Sequence, residues 1–406
     1  MSEWKELSSI TSKIGSGLTP RGGNSVYTDN GISLIRSQNV LDMDFSTENL
    51  AYIDEVQAEK LKNVIVEKND ILLNITGDSI ARCTIVPEEI LPARVNQHVS
   101  IIRCKNTEQS KYVMYYLQYI KKYLLQISKV GGTRNALTKE AISKLPIKIS
   151  EDWNRISTIL DNIDRKIKIN NQINQELEAM AKTLYDYWFV QFDFPDQNGK
   201  PYKSSGGKMV YNPELKREIP EGWGVEKLGD ISQYVTEKVD SFELNIENYV
   251  GTDNMIADMG GIEFTTSIPQ SGTSTKFSVG DILISNIRPY FKKIWLSDRT
   301  GGCSADVLCI RTNRIIPKEF VYATLARDDF FNYDVAGSKG SKMPRGDKKH
   351  IMEYPIVFEF EIVEQYSEIV KPIYEAVHKN NNQNQELTQL RDWLLPMLMN
   401  GQVKVE

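Results

Sequence analysis

Residues 156–188 and 366–398 carry the same apolar ladder, so the chain must bury two long helices lengthwise. In the first copy Ile156, Leu160, Ile163, Ile167, Leu177, Ala181, Leu184 and Trp188 follow alternating steps of four and three. The second copy repeats the spacing with Tyr366, Val370, Ile373, Val377, Leu387, Leu394 and Leu398. The intervening seam steps are Asn170 and Asn174 in one copy and Asn380 and Asn384 in the other, and Asn174-Gln175-Glu176-Leu177 returns as Asn384-Gln385-Glu386-Leu387. A narrow four-three stripe kept over several heptads marks helices that pack on other helices. Asn inside such a seam weakens packing but fixes register and partner choice, so these four are candidate register residues. The two helices most simply pack on each other. Pro372 and Pro396 lie inside the second ladder, and Pro costs ~3 kcal/mol in a helix interior. The second helix is therefore expected to begin at Pro372 and fray near Pro396. Arg391 occupies a seam position that is Ala181 in the first copy.

The rest of the chain is duplicated too. Short β-type runs such as Ile32-Ser33-Leu34-Ile35-Arg36 and Asp70-Ile71-Leu72-Leu73-Asn74-Ile75 precede a tyrosine-rich helix, then the first ladder. After a polar connector the series replays. Trp223-Gly224-Val225-Glu226-Lys227-Leu228 echoes the opening around Trp4, Asp281-Ile282-Leu283-Ile284 echoes Asp70-Ile71-Leu72-Leu73, and Val307-Leu308-Cys309-Ile310-Arg311 echoes Val99-Ser100-Ile101-Ile102-Arg103. The order is domain, helix, domain, helix: an α+β fold in which one unit occurs in tandem. The expected boundaries are 1–150, a long helix over 151–192, a linker over 193–218, a second domain over 219–362 and a second long helix over 363–406. Two copies joined by an antiparallel helix pair imply pseudo-two-fold symmetry.

The 406 residues are enough for two or three cored domains, and 25% charged with 40% hydrophobic is ordinary for a soluble globular chain. No apolar run approaches the ~20 residues of a membrane span, and the acidic, polar start is no secretory signal, so a cytoplasmic protein is expected. Four cysteines without metal-type spacing and three histidines make no zinc site. No Walker-type phosphate loop is present. Pro195-Asp196 followed by Glu214-Leu215-Lys216 imitates a nuclease pattern but flanks a Gly/Ser/Lys connector, where a carboxylate site would lack rigid support. No catalytic residue and no metal ligand is assigned.

What remains suits DNA reading. A net charge of −5 is a weak argument against it, because only one face meets the duplex. Arg, Lys, Asn and Gln on loops are the groove-reading types. The first domain offers Arg21, then Arg36, Gln38 and Asn39 after a strand, Arg82, then Asn96 and Gln97, and a basic Gly loop with Lys129 and Arg134. The second offers Asn286, Arg288, Tyr290 and Lys292 on one loop and Lys339, Lys342 and Arg345 on another. Any single loop of this kind can be a solvated turn; recurrence at equivalent places in both copies strengthens the set.

Together these features resemble the specificity subunit of type I restriction–modification systems. The resemblance covers essentially the whole chain and is most specific in Ala181-Lys182-Thr183-Leu184-Tyr185-Asp186-Tyr187-Trp188-Phe189-Val190-Gln191-Phe192-Asp193-Phe194-Pro195, in Asn198-Gly199-Lys200-Pro201-Tyr202 and in Ile219-Pro220-Glu221-Gly222-Trp223. It implies two target recognition domains, each reading half of a bipartite, asymmetric site in double-stranded DNA. It implies that the conserved long helices fix the spacing and dock two methyltransferase subunits, and through them the restriction subunits. Such a chain is non-catalytic and binds no cofactor, while S-adenosylmethionine, ATP and Mg²⁺ are used by its partners. A coiled-coil scaffold explains the helices but not the paired basic loops. A stand-alone nuclease explains only the Pro195-Asp196 pattern.

Overall fold

The computed structural model describes residues 3–20, 22–129, 135–313, 315–340 and 342–403. The chain divides into two compact units, Met1–Lys168 with Glu386–Glu406, and Ile169–Gln385.

In the first unit a four-stranded antiparallel sheet runs in the order Thr11–Ser16, Val99–Cys104, Ile71–Asn74, Cys83–Ile85. Ile71-Leu72-Leu73 is apolar without alternation because both faces of its sheet are covered. Ile71 and Leu73 face a core shared with the helix Ser110–Tyr119, while Leu72 faces a second core. That second core lies under a smaller sheet of Ala51–Ile53, Ile32–Ile35, Ala93–Val95 and Ile65–Val66. Tyr112, Tyr115 and Tyr116 of the helix are buried in the first core, with Ile71 and Leu73.

The second unit repeats the larger sheet strand for strand as Ser232–Tyr234, Val307–Thr312, Ile282–Ser285, Ile294–Leu296. Ile282 and Ile284 face one core and Leu283 the other. The smaller sheets share three strands: a parallel pair (Ile32–Ile35 with Ala93–Val95; Tyr249–Val250 with Gly301–Cys303) plus one antiparallel neighbour. They differ in the fourth. Ala51–Ile53 joins beside Ile32–Ile35 in the first, whereas Lys238–Asp240 joins at the opposite edge, beside Thr273–Phe277, in the second.

The central helix spans Trp153–Tyr185 and continues as a π-helical turn over Asp186–Val190, where Trp188 and Phe189 are both buried. The C-terminal helix spans Phe360–Asn400 without interruption. This corrects the expectation of a start at Pro372 and fraying near Pro396. Each Pro frees the carbonyl four residues earlier, Glu368 and Asp392, and both of those residues are exposed, so water can satisfy the freed groups. In the second unit Ala181, Tyr185 and Trp188 pack with Tyr366 and Val370 in one core. In the first unit Ile156 and Leu160 pack with Leu395, Leu398 and Met399. Residue numbers rise along one helix as they fall along the other within each unit, which is an antiparallel pair. Arg391, the odd seam residue, is matched by Asp164 at 2.9 Å, and Asp164 also accepts the Tyr115 hydroxyl at 2.5 Å.

The stretch expected as a plain linker is folded. Phe192 and Phe194 are buried, Phe194 stacks between Tyr202 and Trp223, and Met209–Asn212 forms a hairpin with Arg217–Pro220. Asp196 caps a turn by accepting from the Asn198 and Lys200 amides, which places it in local structure rather than a nuclease site.

Candidate nucleic-acid interface

Register alone gathers the candidate loops of the first unit. Ser16 pairs with Ser100, Asn74 with Val99 and Ile35 with Val95, so the loops after Ser16, Ile35, Asn74 and Val95 leave from one end. Backbone bonds tie them together: Gly17 N–H to Val99, Ile75 N–H to His98 and Asn96 N–H to Ile35. Gly17 sits so close that a Cβ there would lie 1.9 Å from the Val95 carbonyl oxygen, so only Gly fits.

The side chains divide into exposed and buried ones. Gln38, Gln97 and Lys129 are exposed, and Arg82 is half-buried. Arg36 lies over the Tyr27 ring and bonds the Asn49 carbonyl. Asn39 is buried, accepting the Arg36 amide and donating to the Ser46 and Glu48 carbonyls. Asn96 is buried and accepts the His98 amide at 3.0 Å. Both Asn shape the loops that present their neighbours. His98, absent from the sequence reading, lies with Nδ1 2.6 Å from Thr76 Oγ1 and Nε2 against the Gln97 amide. Arg21 and Arg134 lie outside the described residues.

In the second unit the corresponding loops follow Val250, Ser285 and Cys303. The loop over 286–293 carries Arg288 and Lys292, both left-handed at φ 52° and 51°. It is braced against the basic loop: Arg288 N–H bonds the Pro344 carbonyl at 2.8 Å, Ile287 pairs with Arg345, and Lys339 and Arg345 exchange backbone bonds. Lys342 is exposed on that loop, between the bonded Lys339 and Arg345. Arg345 reaches Asp306 at 3.1 Å, Lys292 reaches Asp328 at 2.6 Å, and Lys339 pairs with Asp347. The Lys339 ammonium holds the Asp347 carboxyl down at about 2. Tyr290 is exposed.

Asn286 is buried rather than presented. Its Oδ1 and both carboxylate oxygens of Asp334 have no hydrogen-bond partner among the described residues. The two side chains converge on Gly346: a Cβ there would meet Asp334 Oδ1 at 2.4 Å and Asn286 Oδ1 at 2.9 Å. Burial pushes the Asp334 carboxyl up to about 6, with His350 opposing the rise. Nothing in the sequence flagged Asp334, because its burial follows from tertiary packing.

The same turn is built twice. Residues 75–82 and 286–293 each link paired strands over eight residues. Their positive-φ positions also coincide: Gly77 at 76° and Ala81 at 67° in the first, Arg288 and Lys292 in the second. What differs is the tip, Asp78-Ser79-Ile80 against Pro289-Tyr290-Phe291.

The seam asparagines meet across the helix pair of the second unit. Asn174 Nδ2 donates to Asn381 Oδ1 at 2.7 Å, and Asn380 Nδ2 donates to Asn174 Oδ1 at 2.8 Å. Asn170 Nδ2 donates to Asn384 Oδ1 at 2.8 Å and Asn384 Nδ2 to Asn171 Oδ1 at 2.7 Å. Asn170 thus faces the counterpart of Asn174, and Asn174 the counterpart of Asn170, as a local two-fold requires. Among the described residues no group of three or more His, Cys, Asp or Glu could hold a metal ion, and no helix is long and apolar enough to cross a membrane. The four cysteines are buried and unpaired.

The family model described as type I restriction modification DNA specificity domain matches residues 6–179. The specificity subunit of the type I restriction enzyme MjaIX from Methanocaldococcus jannaschii is 26% identical over 78% of this chain and 74% of its own length. The HindI specificity subunit from Haemophilus influenzae is 23% identical over 99% of this chain and 100% of its own. The crystal structure of a type I restriction–modification S subunit from M. genitalium shares the fold, with a TM-score of 0.56 at 13% identity, covering 98% of this chain and 96% of that one.

Proposed function

We propose that this chain is a specificity subunit of a type I restriction–modification system and that each of its two repeats reads one half of a bipartite, asymmetric DNA site. As a specificity subunit it recognises DNA and does not itself catalyse. Residues 1–150 and 219–362 act as the target recognition domains, joined through the connector 193–218. The helices of 151–192 and 363–406 act as a spacer that fixes the distance between half-sites. In the first domain Arg36, Gln38, Arg82, Gln97 and Lys129 are the reading and phosphate-binding side chains, with Asn39 and Asn96 holding them. In the second, Arg288, Tyr290, Lys339, Lys342 and Arg345 read, Lys292 braces, and Asn286 holds the loop from beneath.

The observation that carries this reading is the duplicated turn. One backbone device, with left-handed residues at matched positions, presents Asp78-Ser79 in one repeat and Tyr290-Phe291 in the other. A fixed frame with different tips is what two modules aimed at different sequences require. The partners are methyltransferase and restriction subunits, with two methyltransferase subunits docking on the helices in a cytoplasmic complex. Transfer of a methyl group from S-adenosylmethionine to a flipped adenine, and ATP- and Mg²⁺-dependent cleavage, then belong to those partners. Methylation-motif sequencing of cells carrying this chain with its methyltransferase tests the reading. Two unlike half-sites separated by a fixed unspecified spacer are expected; one contiguous motif would overturn it.

A further inference from the structure

Tyr290 and Phe291 are large aromatic side chains that remain 47% and 40% exposed, with ring centroids 4.8 Å apart. The segment that carries them is clamped from both sides. Phe291 N–H bonds the Arg288 carbonyl and Lys292 N–H the Pro289 carbonyl, so the turn closes on itself. Its outer carbonyls accept the Asp258 amide (from Phe291, 2.9 Å) and the Met259 amide (from Lys292, 2.8 Å). Lys293 Nζ bonds the Thr252 carbonyl at 2.7 Å.

The clamp holds strained backbone. Left-handed φ disfavours any residue with a Cβ. The first repeat meets the same demand at its leading position with Gly77, whereas the second places Arg288 there. Strain of this kind persists where the surrounding structure over-determines it, and it gathers at functional sites. The neighbourhood also fixes what can approach. The basic loop bonded to this turn carries Lys339, Lys342 and Arg345, so a polyanion meets the two rings together with cations for its phosphates. Rigid apolar side chains beside phosphate-binding cations are the parts of a wedge that enters between base pairs and unstacks them.

We infer that Tyr290 and Phe291 form a wedge that inserts at one base step of the second half-site and unstacks it. The inference rests on the DNA-reading role of the second repeat. The equivalent tip of the first repeat presents exposed Asp78 and buries Ile80, so the unstacking is confined to one half of the target. The second half-site is then read partly through the ease of opening one step, which favours a flexible pyrimidine–purine step.

The test uses the full-length chain in its methyltransferase complex, on duplexes carrying the sequenced motif. 2-Aminopurine, which pairs with T as adenine does, replaces one adenine at a time in both half-sites, the methylated adenines excepted. Wild-type complex is expected to raise its fluorescence severalfold at one step of the second half-site. The Tyr290→Ala/Phe291→Ala double variant is expected to lose that rise and to bind roughly 10-fold or more weakly, because the stacking contacts are gone. Tyr290→Phe, which keeps the ring, should retain the rise. A complex that binds its motif with no bright step in the second half-site overturns the wedge, as does a bright step that survives the double substitution. A double variant that fails to assemble with the methyltransferase while Tyr290→Phe assembles would assign the rings to a protein contact and overturn it equally. A wild-type complex with no preference for its motif would instead overturn the DNA-reading role itself.

Discussion

Arg103 closes on Asp70 through two parallel hydrogen bonds, Nε to Oδ1 and Nη2 to Oδ2, each 2.8 Å long, and Asp70 is fully buried. Asp70 Oδ2 also accepts the Glu67 amide. The second repeat rebuilds the arrangement with Arg311 on Asp281, whose Oδ2 accepts the Ser278 amide. A bidentate guanidinium fixes its strand geometrically, and removing one partner leaves a buried charge exposed to nothing that can screen it.

Arg103→Met is therefore expected to destabilise the first unit by about 3–5 kcal/mol, and Arg311→Met the second by a similar amount. Urea denaturation of the two variants measures this. A loss under about 1 kcal/mol in both would place the pair among weak surface bridges.

Asn174 and Asn380 are expected to couple. A double-mutant cycle with Ala at each position should give an interaction energy of about 1 kcal/mol, the ordinary net value of a hydrogen bond between side chains that leave their partner buried when cut. Additive losses would mean that the two amides do not depend on each other and that the register has another source.

Asp334 gives the second unit a pH dependence. Burial raises its carboxyl to about 6, above the ordinary carboxylate value, so the folded chain holds that proton more tightly than the unfolded one. Its stabilising contribution is full below ~4 and is lost as pH rises through about 6. Asp334→Asn should be more stable than wild type at pH 8, by a difference on the order of 3 kcal/mol, and nearly equal to it at pH 4. Denaturation midpoints that differ by the same amount at both pH values would contradict this.

Removing one heptad from each helix at paired positions shortens the pair by ~10 Å. The spacer in the methylated motif should contract by about three base pairs, with both half-sites unchanged. An unchanged spacer in an active complex would remove the helices from the measuring role.

The duplication was legible because helix seams and central strands write their burial into sequence periodicity. The alternation of cores on either side of Ile282-Leu283-Ile284 follows from a sheet covered on both faces. Other features were not legible for local reasons. Asn39 and Asn96 carry the right chemistry for groove reading, yet residue type does not reveal that their amides are turned inward to backbone groups. Left-handed turns are read from Gly, so Gly77 marks one copy of the duplicated turn while Arg288 and Lys292 hide the other. The Pro rule failed at Pro372 and Pro396 because a helix held by tertiary packing tolerates a freed carbonyl on its water-facing side. The fourth strand of each small sheet is a three-residue edge segment, too short to show a period, and it is where the two repeats diverge.

The central claim is that two repeats read two half-sites independently. Its most direct test replaces residues 219–362 with the corresponding segment of a specificity subunit of different target, followed by methylation-motif sequencing. The account predicts a motif in which one half-site changes to that of the donor while the other half-site and the spacer stay as they were. A motif altered in both halves, or in neither, would contradict it.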